Sequence, residues 1–206
     1  MSEAYTDDDL RMIRLQEGDG GAFEEILAAW QRPLFFFFLR NTRDEQLAED
    51  LVQDTLLRLF RRAWDYLPTG RFPGWLFRIA HNLLIDHTRR RTNDVLIRSL
   101  RAADCRGELE GYDPLVGISA RLTSVHVIAE QRELAQVVDE LLLQLPSEQR
   151  LTFTLHHYHS LTLGEVADAM AATLPTTKGR LRLAREKLRR LLACRGFVAE
   201  PLSESS

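Results

Sequence analysis

The sequence predicts an all-α protein of two small helical domains joined by a flexible linker. Three observations carry that prediction. Apolar residues recur at i, i+3, i+4 and i+7 through most of the chain, and nowhere does a strand-like alternation persist. Helix-start residues, Thr6, Ser147 and Thr162, stand ahead of several of these stretches. Between Thr92 and Ser124 the pattern lapses into Gly107, Gly111, Asp113-Pro114, Gly117 and scattered charge, the composition of a linker with at most partial helix. The predicted domains are residues 6–92 and 128–194, with the linker at 93–127.

In chain order, the first helix covers 6–16, with Thr6 as cap and Asp7–Asp9 favouring the positive end of its dipole. Gly18-Asp19-Gly20-Gly21 breaks it. The second runs from Ala22 to Arg40, and Pro33 within it implies a kink or a restart. Its four consecutive Phe, Phe35–Phe38, cannot share one face, so the helix is buried on much of its circumference or presents one Phe to a partner. The third spans Asp44–Tyr66, with Ala48, Val52, Thr55, Leu56, Leu59 and Ala63 as its core stripe. Its opposite flank carries Asp50, Gln53, Asp54, Leu57 and Arg61, with Trp64 at the end. That flank is either a second buried edge against the preceding helix or a docking face for a basic helix.

Leu67–Gly74 reads as a loop from its Pro and Gly content. The fourth helix, Trp75–Arg91, has a stripe of Trp75, Leu76, Ile79, Ala80, Leu83 and Leu84. Its other side shows Arg78, His81, Asn82, Ile85 and Arg89, and it ends in Arg89-Arg90-Arg91. Cations at a helix C-terminus also serve the dipole. Yet Arg78, Asn82 and Arg89 on one face, beside Tyr66, Phe72 and Trp75, suit splayed-out bases, which stack on aromatics and bond to polar side chains. Beyond the linker come helices over Ile128–Leu145 and Ser147–His157, and Glu200–Ser206 reads as a frayed polar tail.

Leu161–Leu192 reads as two helices with a tight break. Thr162 and Glu165 form a capping box, and Val166, Ala167 and Met170 follow at helical spacing. Pro175 suits the first turn of the next helix. Leu174, Leu181 and Leu188 then fall seven apart, with Ala184 and Leu191 beside them, while Lys178, Arg180, Arg182, Arg185, Lys187, Arg189 and Arg190 cover the rest. Helix, turn, basic helix is the arrangement that places its second helix in a DNA major groove. A solvated basic face produces the same pattern.

Composition narrows the classes. With 206 residues, 45% hydrophobic and 28% charged, the chain is that of an ordinary globular protein. The longest apolar run, Leu34–Leu39, is too short to cross a bilayer, and the acidic first residues are no signal peptide, so no membrane insertion is expected. Cys105 and Cys194 are isolated, which fits a reducing cytoplasm and offers neither a disulfide framework nor a zinc site. His156, His157 and His159 lack a companion acid or Cys and read as surface or core-edge histidines. No phosphate-cradling glycine loop or catalytic constellation appears, so no enzymatic activity, cofactor or metal is expected. Net charge is −3, but residues 1–56 hold −8, 57–101 +7, 102–149 −6 and 150–206 +4. Two basic blocks alternating with acidic ones fit a protein that grips DNA at two places and meets a protein partner elsewhere.

In order along the chain, Gly18–Phe23 (GDGGAF), Ala48–Thr55 (AEDLVQDT), Trp75–Asp86 (WLFRIAHNLLID) with Arg89–Arg91, Leu145–Arg150 (LPSEQR) and Thr173–Leu192 resemble five motifs of the extracytoplasmic-function sigma factors. These are two-domain promoter-specificity subunits of bacterial RNA polymerase. The resemblance implies a region 2 domain at 6–92 and a region 4 helix-turn-helix domain at 128–194. It implies that Asp50, Gln53, Asp54 and Leu57 face the beta-prime clamp helices of core RNA polymerase. It implies that Phe72, Trp75, Arg78, Asn82, Arg89 and Arg90 melt and read the −10 element of promoter DNA, and that the last helix reads the −35 element in duplex form. There Thr176, Gly179, Arg182 and Leu183 point away from the leucine stripe toward base edges, with Lys178, Arg180 and Arg185 nearer phosphates. The linker would thread through the polymerase toward its active centre and RNA exit path, and the beta subunit is a further expected partner. Family members are often held by an anti-sigma factor, which makes one a candidate partner. The chain departs from the family pattern at the turn, where Ala171 replaces Gly, and at Pro175–Gly179. A stand-alone helix-turn-helix regulator and a helical adaptor for acidic proteins are the competing readings.

Overall fold

The computed structural model describes residues 5–102 and 137–197, and for 92–102 the backbone alone. Residues 103–127 of the expected linker, the start of the helix expected at 128–145, and the 200–206 tail lie outside the described residues. All regular structure among the described residues is helical.

The N-terminal domain is built from four helices. Helix α1 (Asp7–Gln16) starts in a capping box between Thr6 and Asp9. Helix α2 (Gly20–Thr42) is capped by Asp19 and runs through Pro33 as one helix. Arg43, at φ 57°, ends it in the left-handed conformation. Helix α3 (Glu45–Arg61) is capped by Asp44 and followed by a 3-10 turn at Ala63–Asp65. Helix α4 (Phe72–Ala102) starts three residues before Trp75 and continues eleven beyond Arg91. Pro73 is compatible with a first turn, and residues 92–102 contain no Gly or Pro to stop the helix.

The expected core stripe of α3 is buried, joined by Leu51. Of the four Phe, Phe37 and Phe38 are fully buried and Phe35 is partly covered. Phe36 faces outward beneath the guanidinium groups of Arg32 and Arg40, 5.6 and 5.8 Å from its ring centre. Period 3.6 can bury two of four neighbours deeply but must turn one out.

The C-terminal domain opens with a helical segment at 137–142, followed by α5 (Ser147–His157), α6 (Leu163–Ala169) and α7 (Leu174–Cys194). Leu181, Ala184 and Leu188 of α7 are buried, with Thr177 one turn ahead. Leu174, expected on that stripe, is 42% exposed. It is the first residue of the helix, where the chain is still leaving the turn, and Thr177 occupies the inner position with its hydroxyl bonded to the Thr173 carbonyl at 3.1 Å.

The two domains pack together. Helix α6 lies against α4, and Leu151, Leu155, Leu161, Val166, Ala169 and Met170 are continuous with the N-terminal core. A separate small core of Leu141, Leu142, Leu145, Ala184 and Leu188 belongs to the C-terminal domain alone.

Candidate protein-docking and nucleic-acid interfaces

The outer flank of α3 is open. Asp50, Gln53, Asp54 and Leu57 are all exposed, so this edge is not buried against α2. Gln53 also lines an adjacent groove of about 560 Å³ between α2 and α3, with Gln31, Arg32, Phe35 and Glu49. The flank continues into exposed Phe60, Trp64 (73%) and Leu67 (74%). Sequence reasoning passed over Phe60 and Leu67. Phe60 rests edge-on against Phe23, 5.1 Å between centres, and keeps its outer face free.

A second site surrounds the loop before α4. A surface pocket of about 290 Å³ is lined by Asp65, Tyr66, Leu67, Thr69, Arg71, Gly74, Trp75 and Arg78 of the N-terminal domain and by Asp168 of α6. The loop is held from below by α1. The Asp9 carboxylate accepts hydrogen bonds from Thr6 N (3.0 Å), Thr6 Oγ1 (2.8 Å), Gly70 N (2.9 Å) and the Tyr66 hydroxyl. Burial pulls this carboxyl upward, but the bonds from Tyr66, Thr6 and Gly70 outweigh it and hold Asp9 below its ordinary range. Burial, with Asp9 as neighbour, pushes the Tyr66 phenol up. Gln16 Nε2 donates to the carbonyls of Ala63 (2.7 Å) and Tyr66 (2.9 Å), fixing the other end of the turn.

The aromatic cluster expected to stack on bases is largely internal. Tyr66 and Phe72 are buried, packed on each other at 5.6 Å. Phe72 also meets Trp30 of α2 at 5.6 Å. Phe72 is therefore not on the surface where a base could reach it, because α4 begins at that residue and turns its ring into the core. Trp75 is half-buried, 5.1 Å from Tyr66, and is the member of the cluster that lines the pocket. Arg78, Asn82, Arg89 and Arg90 are exposed along α4. Among the described residues, Arg89 has only a distant Asp86 carboxylate, at 3.8 Å. His81, expected on this exposed face, is buried, and neither ring nitrogen has a hydrogen-bond partner among the described residues. Burial pulls it below its ordinary value, with Glu148 and Arg180 of the other domain as opposing charges.

The third site is the outer face of α7. Thr176, Lys178, Arg182 and Leu183 are exposed, and Gly179 is half-buried. Lys178 and Arg182, with Arg185 and Arg189, line a basic groove of about 610 Å³ beside Leu163. Arg180 departs from expectation. Its guanidinium turns inward to Glu148 at 2.7 Å, at the border between the apolar stripe and the outer face. Arg185 reaches His157 Nε2 at 3.2 Å.

The helix-turn-helix turn contains Ala171 at φ +48°. Left-handed backbone costs a non-glycine residue roughly 1–2 kcal/mol, whereas Gly179 sits inside α7 with nothing within 4 Å of where a Cβ would stand. We expect Ala171→Gly and Gly179→Ala each to stabilise the C-terminal domain by about 0.5–1 kcal/mol. Thermal melting of the two variants checks this; a lower midpoint for either contradicts the local geometry.

Comparison with known proteins follows the same division. The family described as Sigma-70 region 2 matches residues 26–104, and Sigma-70 region 4 matches residues 135–188. The chain is 30% identical to the ECF RNA polymerase sigma factor SigK of Mycobacterium sp. strain JLS, over 93% of this chain and 92% of that protein. It is 26% identical to SigW of Bacillus subtilis strain 168, over 88% and 95%. Two solved structures share the fold. CnrH, in complex with the cytosolic domain of CnrY, has a TM-score of 0.65 at 22% identity, covering 92% of this chain and 99% of that one. RpoE of Bartonella quintana, in complex with the anti-sigma factor NepR, has a TM-score of 0.63 at 23% identity, covering 83% and 96%. With both domains matched in order, and relatives similar over nearly the whole chain, this protein belongs to the extracytoplasmic-function RNA polymerase sigma factors.

Proposed function

We propose that this sigma factor docks on core RNA polymerase through the α3 flank and grips promoter DNA at two separate places. The flank of Asp50, Gln53, Asp54 and Leu57 would take a basic helix of the beta-prime clamp, extended by Phe60 and Trp64. Trp75, Arg78, Asn82, Arg89 and Arg90 would hold the opened −10 element, with Phe72 acting as a support beneath Trp75. Thr176, Lys178, Gly179, Arg182 and Leu183 would face the −35 duplex. The observation that carries the reading is the separation of an exposed acidic, apolar-edged flank from two exposed basic faces, one on each domain.

Such a protein performs no bond chemistry and works in the cytoplasm beside the polymerase. Among the described residues no helix is long and apolar enough to cross a membrane. CnrH and RpoE were solved bound to CnrY and NepR. An anti-sigma partner is accordingly a natural regulator here too.

The test is run-off transcription with core enzyme and a library of upstream regions. Selective initiation that depends on this chain is the expected result; tight palindrome binding without polymerase would favour a stand-alone regulator instead. Asp50→Ala with Gln53→Ala is expected to weaken core binding by about tenfold, within the range of truncating central interface residues. The thermal transition of the C-terminal domain should not move. Unchanged affinity in a titration of labelled core would refute the assignment of this face.

A further inference from the structure

Helix α1 needs a cap for its first turn, and Asp9 supplies more than that. The bonds from Thr6 N and Thr6 Oγ1 complete the capping box. The Tyr66 hydroxyl, on Oδ1, and Gly70 N, on Oδ2 at 2.9 Å, come from 57 and 61 residues further along the chain, and no cap requires them. A carboxylate at 0% exposure is costly unless its oxygens are bonded, so the same group ties the loop to the helix. Gln16 stands two turns later on this face of α1, with fully buried Met12 between them. Its Nε2 gathers the carbonyls of Ala63 and Tyr66, at 2.7 and 2.9 Å. One helix face thus holds the loop at Ala63, Tyr66 and Gly70.

The anchors leave the recognition groups open. Leu67, Thr69 and Arg71 are exposed between and beside them and line the pocket with Trp75 and Arg78. Gly70 adopts φ +72°, a conformation glycine takes without strain, with its N–H on Asp9. The Tyr66 ring, tethered by its hydroxyl, sits 5.1 Å from Trp75 and 5.6 Å from Phe72. The stance of Trp75, the aromatic within reach of a base, is therefore set through Tyr66 by Asp9. A loop that had to order itself around an opened strand would lose affinity to that ordering, whereas one already held does not.

We infer that Asp9 is a positioning residue for capture of the −10 element: from inside α1 it presets the Tyr66–Arg71 loop and Trp75 without touching DNA. The inference rests on the −10 reading of the Trp75–Arg78 face. It gives a part in promoter opening to a helix that bears none of the DNA-facing residues.

The experiment uses holoenzyme assembled from core polymerase and the full chain. The DNA is a promoter drawn from the run-off library, its −10 segment pre-opened by mismatches and its end labelled with fluorescein. Tyr66→Phe removes one bond and keeps the ring, Asp9→Asn keeps one acceptor oxygen, and the two are also combined. Ile26→Val trims a fully buried residue outside the clamp and controls for lost stability. Anisotropy reads DNA affinity at a temperature where circular dichroism shows every variant folded, and titration of labelled core reads core affinity. Tyr66→Phe and Asp9→Asn should each weaken DNA binding about fivefold, the factor that one lost hydrogen bond produces, with core affinity unchanged. The double variant should lose less than the two losses combined, as expected for side chains that act as one contact. Ile26→Val should leave both affinities unchanged. If Ile26→Val weakens DNA binding as much as Asp9→Asn, or if the two losses simply add, the positioning role is refuted. If Arg78→Ala weakens DNA binding while Tyr66→Phe and Asp9→Asn do not, the positioning role is refuted and the −10 reading stands. If Arg78→Ala is silent too, or no upstream region initiates, the −10 reading fails and the inference falls with it.

Discussion

Phe37→Ala is expected to lower the unfolding free energy of the N-terminal domain by about 3–5 kcal/mol, the range for a buried phenylalanine truncated in a core that cannot collapse around the gap. The ring is fully buried and touches Phe38 at 5.2 Å, Phe77 at 5.3 Å and His159 at 5.9 Å. Three neighbours on three segments cannot all move inward. Domains of this kind are stable by roughly 5–15 kcal/mol in total, so the variant should be partly unfolded at modest temperature. Phe36→Ala, one residue earlier, removes an exposed ring under two guanidinium groups and should cost less than about 1 kcal/mol. Urea unfolding of both variants decides the matter. Equal shifts in midpoint would mean that the helix is rotated from the position described.

Asp9→Ala should cost about 2–4 kcal/mol, combining a lost helix cap with buried donors left unpaired. The Tyr66 hydroxyl and Gly70 N both lose their acceptor, and these residues frame the loop that carries Arg71. The damage should therefore appear as faster amide exchange at 66–71 as well as a lower melting point. The pH dependence has a definite sign. Hydrogen bonds hold the folded carboxyl below its unfolded value, so its contribution is complete above the unfolded pKa, about 3.9, and is lost as pH falls through the folded one. Chemical denaturation at neutral pH and at progressively lower pH should show wild type converging on Asp9→Ala. A constant gap across that range would refute the carboxylate's role.

Much of the architecture was readable from local signals. Thr6, Thr162 and Pro175 marked helix starts that the structure retains, because capping depends on residues within one turn. The stripe and flank of α3 were also readable, since one helical period fixes both. The interior of the aromatic loop was not. Tyr66 and Phe72 have the same composition whether they stack on bases or on Trp30, and Trp30 lies some forty residues earlier in the chain. Arg180 sits at the edge of its helix face, where a rotation of a few tens of degrees separates a phosphate contact from an ion pair with Glu148. His159 and His81 gave no signal, because their burial arises from one domain meeting the other, and no periodicity within a domain encodes that.

The length of α4 has a mechanical consequence. At about 1.5 Å per residue, the helix from Phe72 to Ala102 is a rod roughly 45 Å long, and from Trp75 onward it contains no Gly or Pro at which to hinge. The pocket at its first turns, the seat of His81 in its middle and the arginine triplet beyond therefore move as one body. If DNA binds Arg89–Arg91 as proposed, a pull there would be carried along the helix to the far end, where Gly74 lies against Glu165. On the proposed −10 reading the helix would act as a rigid arm that carries a load on its arginines to its first turns.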